Sequence, residues 1–263
     1  MPPFPAQFGG SAAAVFTAAV LAQGPFVSEV QRYGLAAAII TAAFALLACR
    51  MQSVAFSGAI AGSVVSFLLF VCAGPGGFAV LAAVFALTAA STRLRYEHKR
   101  QLGFAEGRRG RNARQVLANL AVGTILAVFS LYAWREPLLL AALASLAEAA
   151  ADTVSSEVGK ALAPRAYMIT TFERAPIGTD GAISLIGTLA GAAAAVLVAL
   201  VGAWSRLAPS PQWIAAAAGA GILGSFVDSF LGATLQQRGW VSNSAVNLVS
   251  TAAAAGLALL FLL

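Results

Sequence analysis

The chain has 263 residues, of which 60% are apolar and only 10% charged, with a net charge of +6 and a mean hydropathy of +0.84. Soluble domains are nearer 45 to 50% apolar and about 25% charged, so a soluble core is excluded and the chain reads as an integral membrane protein. Two cysteines without CxxC spacing, Cys49 and Cys72, give neither a disulfide framework nor a zinc site, and basic excess on such a chain points to anionic headgroups at the cytoplasmic face before nucleic acid.

No lysine or arginine precedes Arg32, so residues 1–23 lack the positive region of a secretory signal and read as a first membrane segment. Residues 34–49 and 54–72 predict two more spans, and the GPGG at 74–77 predicts a tight turn into a fourth that ends near Ala90. Gly58 and Gly62, beside Ser63 and Ser66, have the small-residue spacing of close helix packing.

Between Ser91 and Arg114 the character reverses, with eight of the sixteen lysines and arginines and only Glu97 and Glu106 as acids. This basic loop, residues 92–114, suits cytoplasmic anchoring or phosphate capture. Its lone histidine, His98, is expected to be solvated. Arg111, Gln115 and Asn119 follow at intervals of four, a polar strip running into a helix that continues apolar to Trp134.

The next helix holds Glu148, Asp152 and Ser156 stacked on one face, with Gly159 and Lys160 continuing the stripe. Glu157 lies off that stripe and joins it only if the helix breaks near Ser155. A carboxylate at bilayer depth costs roughly 2.5 to 3.5 kcal/mol; a bound cation, Lys160 or a water-filled cavity would offset it. After Pro164 comes a Gly/Thr-rich loop, residues 164–181, in which Arg174 supplies charge and Gly178 and Gly181 sit among hydroxyls. Thr179, Ser184 and Thr188 can donate to phosphate at the start of the following helix. Spans at 182–204 and 212–235 follow, the second carrying Asp228 in the polar knot GSFVDSFLGATLQ, and SNSAVNLVSTAAAAGLALLFLL closes the chain.

The expected fold is therefore all-α, a polytopic transmembrane helical bundle of about nine spans forming one domain over residues 1–263. With the basic loop cytoplasmic, thirteen of sixteen lysines and arginines fall inside, leaving Arg32, Arg135 and Arg206 outside. Every polar knot then lies at the cytoplasmic end of its helix, which predicts one site on that side. Carboxylates, arginines, a lysine and glycine-hydroxyl turns suit magnesium-assisted phosphoryl transfer to a lipid. Asp152 and Asp228 lead as Mg2+ ligands, with Glu157 as a third candidate and Lys160 as a catalytic cation.

The segments SGAIAG at 57–62, RQVLAN at 114–119, ADTVSSEVG at 151–159, ITTFERAPIGTDGAISLIGTLAG at 169–191 and GSFVDSFLGATLQ at 224–236 resemble, in matching order, the integral-membrane family known as domain of unknown function 92. Its plant members are phytyl-phosphate kinases. The resemblance implies transfer of a phosphoryl group from a nucleoside triphosphate, CTP or ATP, to a prenyl monophosphate such as phytyl or geranylgeranyl phosphate, within the lipid bilayer and without nucleic acid. It carries an acidic motif onto Asp152 and Glu157, and a glycine-threonine motif onto Gly178, Thr179, Gly181, Ser184, Gly187 and Thr188. A later motif falls on Asp228, Ser229, Gly232 and Gln236, and Arg114, Gln115 and Asn119 join the binding set. Asp180 departs from the neutral residue common at its position. The same parts would serve a lipid-phosphate nucleotidyltransferase, and intramembrane acids also serve transporters, although no inverted repeat is visible in the two halves. The oligomeric state is not fixed by the sequence.

Overall fold

The computed structural model describes residues 24–103 and 110–261. The segment read as a first span, residues 1–23, and part of the basic loop lie outside them. Among the described residues the chain forms eight helices: α1 (Pro25–Arg50), α2 (Phe56–Arg93), α3 (Tyr96–Gln101), α4 (Ala113–Phe129), α5 (Arg135–Leu162), α6 (Leu185–Trp204), α7 (Pro211–Leu231) and α8 (Asn243–Leu260). Six of them (α1, α2, α5, α6, α7 and α8) are long and apolar enough to cross a membrane. That makes the protein polytopic and helical. It does not establish nine spans: the first expected span lies outside the described residues, and α4, at 17 residues, is at the lower limit of length for a crossing.

Two of the expected spans are written into the single element α2. Its 38 residues would extend about 57 Å if straight, yet the Arg93 guanidinium at its end donates to the Met51 carbonyl at 2.6 Å and to Ser53 Oγ at 3.2 Å, just before its start. The chain must double back between them. It does so at Gly74, whose φ of 71° and ψ of −170° lie outside helical space and are open to glycine at little cost, with Pro75 starting the return helix. The GPGG turn is thus realised as a hairpin of helices.

Helix α5 is the axis of the bundle. Every residue from Leu139 to Ala151 is buried, and α2, α4, α6, α7 and α8 all pack on it. Alanine at seven of those positions keeps the axis thin enough for neighbours to approach its backbone. On α6, Gly191 comes so close that a Cβ would lie 2.6 Å from the Ala151 carbonyl oxygen; on α7, Gly224 comes equally close to Glu148, at 2.7 Å from Cγ. Small residues at such contacts allow dispersion and polar contacts to hold helices that gain no hydrophobic advantage from one another in lipid.

Between α5 and α6, in the expected loop, the structure adds a three-stranded antiparallel sheet of β1 (Ala166–Met168), β2 (Arg174–Ala175) and β3 (Ala182–Ile183), in the order β2-β1-β3. Strands this short carry no readable alternation. Their register, with Tyr167 opposite both Arg174 and Ile183, folds residues 169–183 back over the end of α5.

Candidate functional site

Three of the helices around the site, α6, α7 and α8, each begin with a capping serine. Ser184 Oγ accepts from the Gly187 amide at 3.1 Å, Ser242 Oγ accepts from the Ala245 amide at 3.4 Å, and Ser210 caps α7 ahead of Pro211. These caps fix where α6, α7 and α8 start against α5. Beyond Leu231, α7 widens into a π turn, Gly232–Gln236, a form common near functional sites.

At the end of the bundle where the basic residues cluster, these elements enclose a cavity of about 150 Å³. Its walls are Asp152, Ser156 and Lys160 from α5, Gly178 to Ser184 from the sheet and its turn, and Asp228, Ser229, Gly232 and Gln236 from α7. Asp152 and Asp228, 76 residues apart in sequence, both face this cavity. Ser250 of α8 donates to Asp228 Oδ2 at 3.2 Å. One turn deeper, Glu148 is 1% exposed and its Oε1 has no hydrogen-bond partner. These three acids on adjacent turns of two helices, with Ser250 the one hydroxyl that donates to them among the described residues, form an acidic cluster suited to a cation.

The wall opposite is backbone. Gly178 and Gly181 both adopt positive φ, 84° and 75°, and the Gln237 amide fastens the turn by donating to the Asp180 carbonyl at 2.7 Å. Gly181 also lies directly on the π turn, where a Cβ would meet the Ala233 nitrogen at 2.3 Å. Gly181→Ala combines a left-handed conformation, roughly 1 kcal/mol, with a clash against backbone that cannot rotate away. We expect a fall in thermal unfolding temperature in detergent together with loss of cavity function, and an unchanged unfolding temperature would refute this account of the turn.

Eleven of the residues expected from the sequence are thus brought together: Asp152, Ser156, Lys160, Gly178, Thr179, Gly181, Ser184, Asp228, Ser229, Gly232 and Gln236. Seven expected residues are not on this wall, among them Gly187, which packs on α5 where a Cβ would lie 2.5 Å from the Ser155 carbonyl oxygen. Helix α5 runs unbroken past Ser155, so Glu157 stays off the stripe. It is buried, and its carboxylate is taken by Lys99 and, at 3.3 Å, by Lys160. Lys99 is fully buried and also donates to the Ser91 and Thr92 carbonyls at 3.1 and 2.8 Å, which makes the pair a clamp joining the basic loop to α5. Gln115 closes a capping box, its Oε1 accepting from the Asn112 amide at 3.0 Å while Asn112 accepts from its own amide at 3.1 Å. Asn119 receives a hydrogen bond from Asn247 at 3.1 Å, and Arg114 donates to Ser242 Oγ at 2.6 Å, so both tie α4 to α8. Arg174 is exposed on β2, and Thr188 lies within α6 away from the cavity.

Among the described residues no three His, Cys, Asp or Glu side chains gather in the geometry of a closed metal site. The Asp152–Asp228 pair still fits Mg2+, which is commonly held by one or two carboxylates with phosphate oxygens and water completing its shell. Asp180 and Asn243, not among the expected residues, also border the cavity. Asn243 follows the Ser242 cap, and that proximity to a cap was the signal available in the sequence.

Fold and site together define a polytopic helical membrane protein with an acidic, glycine-walled cavity at its basic end. The chain belongs to the family described as integral membrane protein DUF92, whose model matches residues 39–255. It is 34% identical over 203 residues to Protein VTE6, chloroplastic, of Arabidopsis thaliana, covering 74% of this chain and 61% of that protein's length. It is 31% identical over 213 residues to the uncharacterized membrane protein MJ0933 of Methanocaldococcus jannaschii, covering 81% and 87% of the two chains. A second Arabidopsis relative, Protein PGR, is 31% identical over 233 residues, with 78% and 80% covered. No solved structure matches the chain.

Proposed function

We propose that the protein is a membrane kinase that transfers the terminal phosphoryl group of CTP or ATP to a prenyl monophosphate, giving the prenyl diphosphate. The single observation that carries this reading is the placement of Asp152 beside Asp228 in a cavity walled on its far side by the Gly178–Ser184 turn, with Lys160 at its edge. The chain's resemblance to a family whose plant members are phytyl-phosphate kinases supplies the acceptor class. The topology we propose has eight spans among the described residues, counting α2 as two and α4 as one, with the cavity opening to the cytoplasm as the basic residues around it favour.

In this reading Asp152 and Asp228 would hold Mg2+, which would supply positive charge against the charge that develops on the donor's phosphates. The turn from Gly178 to Gly181 brings backbone N–H groups to the donor's phosphates, and the Thr179 and Ser229 hydroxyls donate to the same oxygens. Lys160 adds a positive charge at the cavity edge, its orientation fixed by Glu157. An oxygen of the acceptor phosphate attacks the terminal phosphorus; the bond to the bridging oxygen breaks, and the nucleoside diphosphate leaves with that electron pair. The acceptor is already anionic, so no general base is required.

The test is transfer of label from a γ-labelled triphosphate to phytyl phosphate by purified protein in liposomes, with and without chelation of divalent cations. We expect transfer that stops on chelation and returns with Mg2+. Transfer that persists through chelation would contradict the role given to the carboxylate pair.

A further inference from the structure

A second and larger cavity, of about 490 Å³, lies between α1, α2 and α4 and is not used by the phosphotransfer reading. Its depth is apolar, lined by Phe44, Leu81, Val84 and Phe85, and its mouth carries Arg93 and Arg111. The position of Arg111 is built into the backbone. Its amide donates to the Ser53 carbonyl at 3.1 Å and its carbonyl accepts from the Ala55 amide at 2.9 Å. Gly58 leaves room for that carbonyl, since a Cβ there would lie 2.0 Å from it. From this fixed point the Arg111 guanidinium reaches α5 and donates to Thr153 Oγ1 at 3.4 Å, one residue from Asp152. Arg111 thus links the rim of the large cavity to α5, the helix that also carries Asp152 into the acidic cavity.

An apolar chamber whose cationic rim is linked through α5 to a phosphate-type site has the shape of an amphiphile receptor. Its volume is within the range of about 300 to 1,000 Å³ typical of small-molecule pockets. Gly62, expected to serve helix packing, lines this chamber instead, and a Cβ added to it meets nothing within 4 Å. We propose that this chamber receives the isoprenoid chain of the phosphoryl acceptor, with the acceptor's phosphate held at Arg93 and Arg111 so that it faces Asp152. The identity of the occupant rests on the kinase reading; the existence of an anionic-amphiphile site rests on the chamber and its arginines alone. Arginine suits this rim because its planar fork grips phosphate oxygens in pairs.

The experiment is photolabelling of the protein in liposomes with a phytyl monophosphate bearing a diazirine on its chain, followed by peptide mapping and competition. We expect label on α1 and α2 around Phe44, Gly62 and Phe85, displaced by unlabelled phytyl phosphate and not by phosphatidic acid. Label confined to other helices, or displacement by phosphatidic acid as effective as by phytyl phosphate, would overturn the proposal. Label in the chamber from a protein that transfers no phosphate to any prenyl phosphate would uphold the chamber and remove the kinase reading. Label elsewhere from an active kinase would do the reverse. As a second measurement, Gly62→Leu adds a side chain at a chamber-lining position whose Cβ meets nothing within 4 Å, and it is expected to raise KM for phytyl phosphate about tenfold while leaving KM for the triphosphate near its original value. An unchanged acceptor KM in folded Gly62→Leu would also overturn the proposal.

Discussion

Asp152→Asn and Asp228→Asn should each lower kcat by about a thousandfold or more while leaving the protein folded in the membrane, and each should unfold at the same temperature as the original or higher. The two halves of this expectation come from one cause. The carboxylates lie between packed helices with Glu148 directly below them, and burying like charges together opposes folding. Asparagine keeps the shape and the hydrogen-bonding reach and removes the charge. A residue retained for packing would lose stability on substitution, whereas one retained for binding Mg2+ and phosphate would lose activity and keep stability. Retained turnover in both variants would remove the metal site from the account.

The second large effect concerns Lys99. Lys99→Met leaves Glu157 buried with only the partly exposed Lys160 as partner, and removing one member of a buried ion pair costs about 3 to 5 kcal/mol. We expect a marked drop in unfolding temperature and, because the basic loop is then released from α5, a drop in activity as well. Adding Glu157→Gln to Lys99→Met removes the uncompensated charge, so the double variant should recover most of the stability. It also isolates what Glu157 does. Recovery of activity along with stability identifies it as a positioning residue for Lys160, and stable but inactive double variant would return it to the reacting centre.

Why Glu157 was hard to read from sequence is plain from its partner. Helical spacing told that it lies off the Asp152 stripe, but Lys99 is 58 residues away in a loop whose charge looked like surface anchoring. A buried ion pair between distant segments leaves no local pattern. The Asp152–Asp228 pairing was legible because each aspartate interrupts an otherwise apolar run, and the GPGG hairpin because glycine and proline turn chains for stereochemical reasons that need no tertiary context. The strip through Arg111, Gln115 and Asn119 was legible as polarity and not as purpose. Gln115 and Asn119 spend their amides on a cap and a helix-helix bridge, and Arg111 stands at the rim of a chamber whose existence depends on how three helices diverge. Gly62 is the clearest case. Its spacing from Gly58 is that of a packing motif, yet one glycine receives a backbone carbonyl and the other faces open space. The span count suffered similarly: hydropathy measures apolar length and is silent on whether a 17-residue helix such as α4 crosses the bilayer.

The measurement that bears most directly on the central claim is the fate of two labels. Purified protein in liposomes is given Mg2+, phytyl monophosphate, and CTP or ATP labelled separately at the α and γ positions, and the lipid products are identified. The account predicts phytyl diphosphate carrying the γ label, with the α label left in the released nucleoside diphosphate. Alpha label in the lipid would mean nucleotidyl transfer from the same parts, and no label in the lipid from either position, with the protein folded, would contradict the account.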